Sequence, residues 1–174
     1  LVPLLSPDEQ SELWRTLLEM RLAARTLRGL GGETRQGGLA RLGGLSLVAG
    51  VAACEALRGL GFADVGLKWP NDLLVSGRKL GGLLVEGGGE HAGPVRAVIG
   101  LGLNVRMPLD AAATLDQPWV DLAALSAAAP SRNAVAASVL GHLLPALEQF
   151  DGEGLSPFLA RYAHFDALAS RDVV

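Results

Sequence analysis

The chain has 174 residues, 49% of them hydrophobic and 19% charged, a balance that suits one globular domain and excludes an intrinsically disordered chain. Its net charge of −3 gives no hint of a concentrated basic face, so DNA or RNA binding is not expected. No apolar run is long enough to span a bilayer, and no membrane association is expected.

The 23 glycines and the 5% aromatic content predict many tight turns and a core of Leu, Val and Ala. Cys54 is the only cysteine, which rules out an internal disulfide and suits a reducing compartment. His91, His142 and His164 lie far apart and show no zinc-ligand spacing with each other or with Cys54. No metal site is expected from them. Leu1 to Leu5 is short and lacks a basic flank, so it does not read as a signal peptide, and the cytoplasm is the expected compartment.

In chain order, Ser6-Pro7-Asp8-Glu9 predicts a helix start, with a capping serine, a proline in the first turn and acids at the positive end of the dipole. Residues 1–34 read as a separate helical segment. Glu33 to Gly38 reads as a polar loop. A second helix is expected from about Leu42 or Gly44 to Leu60, apolar or small on nearly every face and therefore largely buried. Val65 to Trp69 reads as a strand ended by Pro70, and Leu73 to Val75 as another. Ser76-Gly77 fits a two-residue hairpin turn. The strand Leu80 to Val85 returns from it, and Gly87-Gly88-Gly89 is expected to open a loop closed by Gly93-Pro94. Val95 to Ile99 reads as a strand continuing through Gly102 to Val105. Trp119 to Leu125 is a short element. Ser131 caps a helix running to Phe150, in which Pro145 predicts a kink or break. Ser156-Pro157 opens a last helix. Helices around an antiparallel strand group make an α+β domain, a mixed or antiparallel sheet packed against helices.

Chemistry concentrates between Lys68 and Asn104. In Lys68-Trp69-Pro70-Asn71-Asp72 a strand carries a cation to its end, and the following residues favour a turn. By itself this is either a functional turn or a polar turn with a surface lysine. The strand after Ser76-Gly77 starts Arg78-Lys79 and runs into Gly81-Gly82. Two adjacent glycines weaken a strand, so they mark a close approach by a ligand or another backbone, or else a bulge. A cation beside bare backbone suits a carboxylate or phosphate. Gly100-Leu101-Gly102-Leu103-Asn104 is not a dinucleotide fingerprint, and no Walker A motif occurs. Asn104, at a strand end, would read a sugar hydroxyl or cap a turn.

Taken together and in order, Lys68 to Asp72, Arg78 to Glu86 and Ile99 to Val105 resemble the central motifs of the biotin protein ligases, the biotin–[acetyl-CoA-carboxylase] ligases. The resemblance extends over roughly residues 35–174 and implies the family's class II synthetase-like core. It implies an ATP-dependent reaction in which biotin and Mg2+-ATP give biotinyl-5′-AMP. A lysine of the biotin carboxyl carrier protein of acetyl-CoA carboxylase then takes the biotinyl group. By analogy Lys79, Asp72 and Lys68 are the catalytic candidates. Lys79, Gly81, Gly82, Asn71 and Asn104 are the candidates for holding biotin and the nucleotide, and Trp69 is a wall or packing residue.

The family's upstream Ser-Thr-Asn element and its arginine-rich loop do not occur here. Thr34-Arg35-Gln36-Gly37-Gly38 is too short and wrongly ordered to replace them. The family's C-terminal β-barrel and its DNA-binding helix-turn-helix are likewise not expected in this chain. Two alternatives accompany the ligase reading: a lipoate- or octanoate-type acyltransferase, and a non-catalytic binding or assembly module of the same fold. Homodimerisation through an exposed strand, around Val95 to Ile99 or Leu80 to Val85, is a further expectation.

Overall fold

The computed structural model describes residues 44–88, 96–108 and 117–169. The helix expected from Ser6, the loop Glu33 to Gly38, the Gly93-Pro94 loop closure and the terminal residues from Ser170 lie outside them.

Helix α1 spans Leu45–Gly59 and buries eleven of its side chains or glycines. Burial is this complete because α1 lies between two layers. One is the sheet. The other is formed by helices α3 (Arg132–Glu153) and α4 (Ser156–Phe165). Small residues let the layers close. A Cβ on Gly50 would come within 2.6 Å of the Leu67 side chain in the sheet below. Past the helix end, Gly61 adopts φ 96° and its N–H donates to the Arg58 carbonyl at 2.9 Å, the left-handed stop expected of glycine.

Four strands follow: β1 Val65–Lys68, β2 Asp72–Val75, β3 Arg78–Gly88 and β4 Arg96–Leu103. They form one sheet in sequence order, each pair antiparallel, so among the described strands the sheet is antiparallel. Ser76 and Gly77 have φ of 50° and 76°, the pair of positive angles that a two-residue turn uses to match strand twist. Leu67, Leu73, Leu80 and Leu83 point into the core and are buried.

Several expectations need correction. β3 does not give way to a loop at Gly87, because both Gly87 and Gly88 pair with β4, at Ala97 and Arg96. The chain there follows the ladder rather than the glycine propensity. Asp72 belongs to the first rung of β2 rather than to the turn, and β4 ends at Leu103. β2 flanks β3 only over Arg78 to Gly82, so beyond Leu83 the strand is laddered to β4 alone among the described residues, and β4 ends the strand order. Pro145 does not break α3, which runs through it. Pro145 and Gly141, whose carbonyl loses its helical partner, are both on the exposed face, where water replaces the missing bond.

The helical layer is tied together by Arg161. From α4 it donates through Nε to Glu55 Oε1 of α1 at 2.8 Å and through Nη2 to Oε2. It also reaches Gln149 of α3 at 3.2 Å and lies 4.6 Å over the Phe158 ring. One planar cation thus bridges three helices, with a fork geometry that lysine does not offer. Helix α2 (Leu122–Leu125) is a single turn capped by Asp121, whose carboxylate accepts from Ala124 N–H and from Met107 N–H, each at 2.8 Å.

Candidate active site

Directly paired residues in an antiparallel sheet point to the same face. Lys68 pairs with Asp72, Asp72 with Gly82, and Gly82 with Gly102. These four form one row across the sheet, on the face turned away from α1. The next row, Leu67, Leu73, Gly81 and Leu103, points inward. The outer row therefore carries a cation and a carboxylate at one side and two bare backbone positions at the other.

Lys79 joins this row through a bulge. Between Leu73 and Leu74 the β2–β3 register slips. Leu73 pairs with Gly81 and Leu74 with Lys79, leaving Leu80 unpaired. Without the slip, Lys79 and Gly82 would face opposite sides. With it, Lys79 Nζ lies 2.7 Å from Asp72 Oδ1, and both side chains are partly exposed, 30% and 22%. The ammonium and the carboxylate are accessible from the outer face, not sealed in the core. Such a pair contributes little to stability, so its value lies in presenting charge.

The two adjacent glycines have different causes. A Cβ on Gly81 would come within 2.4 Å of the Gly102 carbonyl and 2.8 Å of the Leu103 side chain. Its smallness is demanded by the neighbouring strand. A Cβ on Gly82 would meet nothing closer than Asp72 Oδ1 at 3.5 Å, Asn71 O at 3.6 Å and Lys79 Cε at 3.6 Å. The protein has room for a side chain at Gly82, and that room is the space in front of Lys79 and Asp72. Beyond it, Gly100 pairs with Leu84 and Glu86 with Val98. Leu84 and Val98 are 61% and 65% exposed. The outer face thus runs from charge, over a glycine floor, to an apolar patch.

The turn before β2 is held from three sides. The Trp69–Pro70 peptide is cis. Ser46 Oγ, at the start of α1, donates to the Pro70 carbonyl at 2.8 Å. Asn71 pairs with β3 as a strand residue would: its carbonyl accepts from Leu83 N–H at 2.8 Å, and its Nδ2 donates to the Leu83 carbonyl at 3.1 Å. From α4, the Tyr162 hydroxyl meets the Trp69 backbone N–H and the Asp166 carboxylate; burial, then Asp166, raises its pKa. Trp69 itself is 61% exposed among the described residues.

Asn104 sits behind the site. Its Nδ2 donates to the Lys79 carbonyl at 3.3 Å and to the Val120 carbonyl at 3.2 Å. Of the residues singled out in the sequence, Lys68, Asp72, Lys79 and Gly82 converge on the outer face. The side-chain amides of Asn71 and Asn104 bind main chain, and Gly81 faces the core. Ser46, Tyr162, Leu84 and Val98 were not anticipated. The first two act across long sequence separations. In Leu83-Leu84-Val85 no hydrophobic alternation marks which leucine faces out. No group of three or more His, Cys, Asp or Glu side chains able to hold a metal occurs among the described residues.

The chain is similar to known proteins in sequence and in fold. Residues 31–104 match the profile of the Biotin/lipoate A/B protein ligase family. The chain is 41% identical over 128 residues to the bifunctional ligase/repressor BirA of Escherichia coli, covering 74% of this chain and 40% of that protein. It is 41% identical over 101 residues to the biotin–[acetyl-CoA-carboxylase] ligase of Mycobacterium tuberculosis, covering 56% of this chain and 35% of that protein. It spans less than half the length of either relative. Among solved structures, biotin protein ligase from Aquifex aeolicus in complex with biotin and ATP aligns with a TM-score of 0.59 at 24% identity, over 71% of this chain and 50% of that one. That likeness is one of fold, the class II synthetase-like fold.

Proposed function

Because the chain belongs to the biotin protein ligase family, we propose that its outer sheet face activates biotin with ATP and passes the biotinyl group to a lysine of a carrier protein, the biotin carboxyl carrier protein of acetyl-CoA carboxylase. In this reading residues 35–174 are the ligase core and work in the cytoplasm. The carrying observation is the bulge that swings Lys79 onto the row Lys68, Asp72 and Gly82.

The chemistry follows from the face. A biotin carboxylate set against Lys79 would lay its alkyl chain over Gly82 and Gly100, toward Leu84 and Val98. In the first step a carboxylate oxygen attacks the α-phosphorus of ATP, the bond to the β-phosphate bridging oxygen breaks, and pyrophosphate leaves. Lys79 and Lys68 are placed to offset negative charge that builds on the phosphoryl oxygens. In the second step the carrier lysine amine attacks the acyl carbon, AMP departs, and the amine proton is lost.

Magnesium would enter with the nucleotide. It is commonly held by one or two carboxylates together with phosphate oxygens, and Asp72 is the carboxylate beside Lys79 that would serve. When bound, the ion supplies charge neutralisation on the phosphates.

Biotin-dependent exchange of labelled pyrophosphate into ATP tests this reading. Lys79→Ala is expected to lower the exchange rate by about 100-fold or more; an unchanged rate would remove Lys79 from the mechanism. Exchange that requires lipoate or octanoate instead of biotin would reassign the acid. Ligand binding without exchange would point to a non-catalytic module.

A further inference from the structure

We infer that Asn104 is a positioning residue that locks the β3 bulge and so sets the direction of the Lys79 side chain; the inference rests on the ligase reading for its consequence in catalysis, but its geometry stands apart from it. A bulge leaves its extra residue out of the pairing, and here that residue is Leu80, next to Lys79. Both carbonyls are held by one residue. Asn104 N–H donates to the Leu80 carbonyl at 2.9 Å, and Asn104 Nδ2 donates to the Lys79 carbonyl at 3.3 Å.

The second hydrogen of the same amide reaches the Val120 carbonyl at 3.2 Å, while the Asn104 carbonyl accepts from Leu122 N–H at 2.9 Å. This ties in the segment that covers Lys79. Lys79 N–H donates to the Pro118 carbonyl and Val120 N–H donates to the Lys79 carbonyl, each at 2.9 Å. The Lys79 N–H and carbonyl are therefore held by Pro118, Val120 and Asn104. Only a short side chain with two amide hydrogens can bridge two carbonyls here. Aspartate offers acceptors alone, alanine offers nothing, and glutamine is one methylene too long.

If the bulge relaxes toward a regular ladder, strand parity turns Lys79 away from Asp72 and Gly82. Asn104 would thus act on the reaction through Lys79, without needing to touch a substrate.

The sequence supplies a clean readout, because Lys68 and Lys79 are its only lysines. Protein labelled with 15N-lysine gives two backbone amide signals, one at the bulge and one on β1 as an internal reference. In Asn104→Ala, amide hydrogen exchange at Lys79 is expected to quicken by about tenfold or more while Lys68 is unchanged. Asn104→Asp is the second variant. It keeps the size and the backbone bond to Leu80 but loses both donors, and it should reproduce the effect. Val139→Ala, in the helical layer, serves as a destabilised control that should leave the Lys79-to-Lys68 ratio as in the wild type.

In the pyrophosphate exchange assay, Asn104→Ala should lower kcat by about 10- to 100-fold, with KM for biotin shifting much less. Unchanged Lys79 exchange in both Asn104 variants would overturn the positioning role. So would an equal change at Lys68, or the same change in Val139→Ala. If the wild-type chain shows no biotin-dependent exchange but the variants loosen Lys79 selectively, the ligase reading fails and the positioning role stands.

Discussion

Gly81 and Gly82 are neighbours, yet they answer to different constraints, and the difference is measurable. Gly81→Ala drives a methyl into the Gly102 carbonyl and is expected to destabilise the fold by about 1–3 kcal/mol, read by urea denaturation. Gly82→Ala meets only ordinary contacts, so it should leave the denaturation midpoint within error. It should instead weaken biotin binding by calorimetry, because the methyl occupies the floor before Lys79. Equal midpoints for the two variants would contradict this division. The residue types at this site were legible in the sequence, since two glycines after a lysine mark a close approach. Which glycine is pressed by the neighbouring strand and which fronts open space was not legible, because it depends on where β4 lies.

At the level of elements, the bulge in β3 and the buried helix α1 do most to build the site. The α1 start predicted at Gly44 and the end predicted at Leu60 agree with the structure to within a residue, because continuous apolar character over four turns has one outcome in a globular chain; the alternative start at Leu42 lies outside the described residues. The bulge was only one of several readings of Gly81-Gly82. Its position is set by hydrogen bonds to residues far along the chain, which local propensity does not contain. The Arg161 bridge is of the same kind: nothing in Arg161 or Glu55 alone pairs them across 106 residues. Arg161→Ala should cost about 1–3 kcal/mol in thermal or urea unfolding, from lost charged hydrogen bonds and ring contact. Arg161→Lys should recover little of it. Full recovery by lysine would mean that net charge, not the planar fork, ties the helices.

Across the whole molecule, the sandwiching of α1 makes stability respond to pH. Burial of Cys54 pushes its thiol from an ordinary 9.0 up to about 12, with smaller opposing effects from Arg58 and Glu55. Between those values the unfolded chain releases the proton and the folded chain keeps it. The unfolded state then binds fewer protons, so stability falls as pH rises through this window and is unaffected by this group below it. The decline should approach about 1.4 kcal/mol per pH unit. Denaturation of wild type and Cys54→Ala from pH 7 to 11 checks this: the variant should lack that part of the decline. Parallel curves would show that Cys54 is not its source.

The chain by itself determined the α+β class, the order of helices and strands, the hairpin at Ser76-Gly77 and the resemblance that the comparisons support. These follow from periodicity, turn chemistry and contiguous motifs, all of which are local. Only the tertiary structure decided that Lys79 shares a face with Asp72 and Gly82, that Gly81 belongs to the core, and that the Asn104 amide holds main chain. Strand parity, register and long-range hydrogen bonds decide such questions. A single slip in register moves a side chain from one face of a sheet to the other, and that slip is fixed by partners the neighbouring sequence does not name.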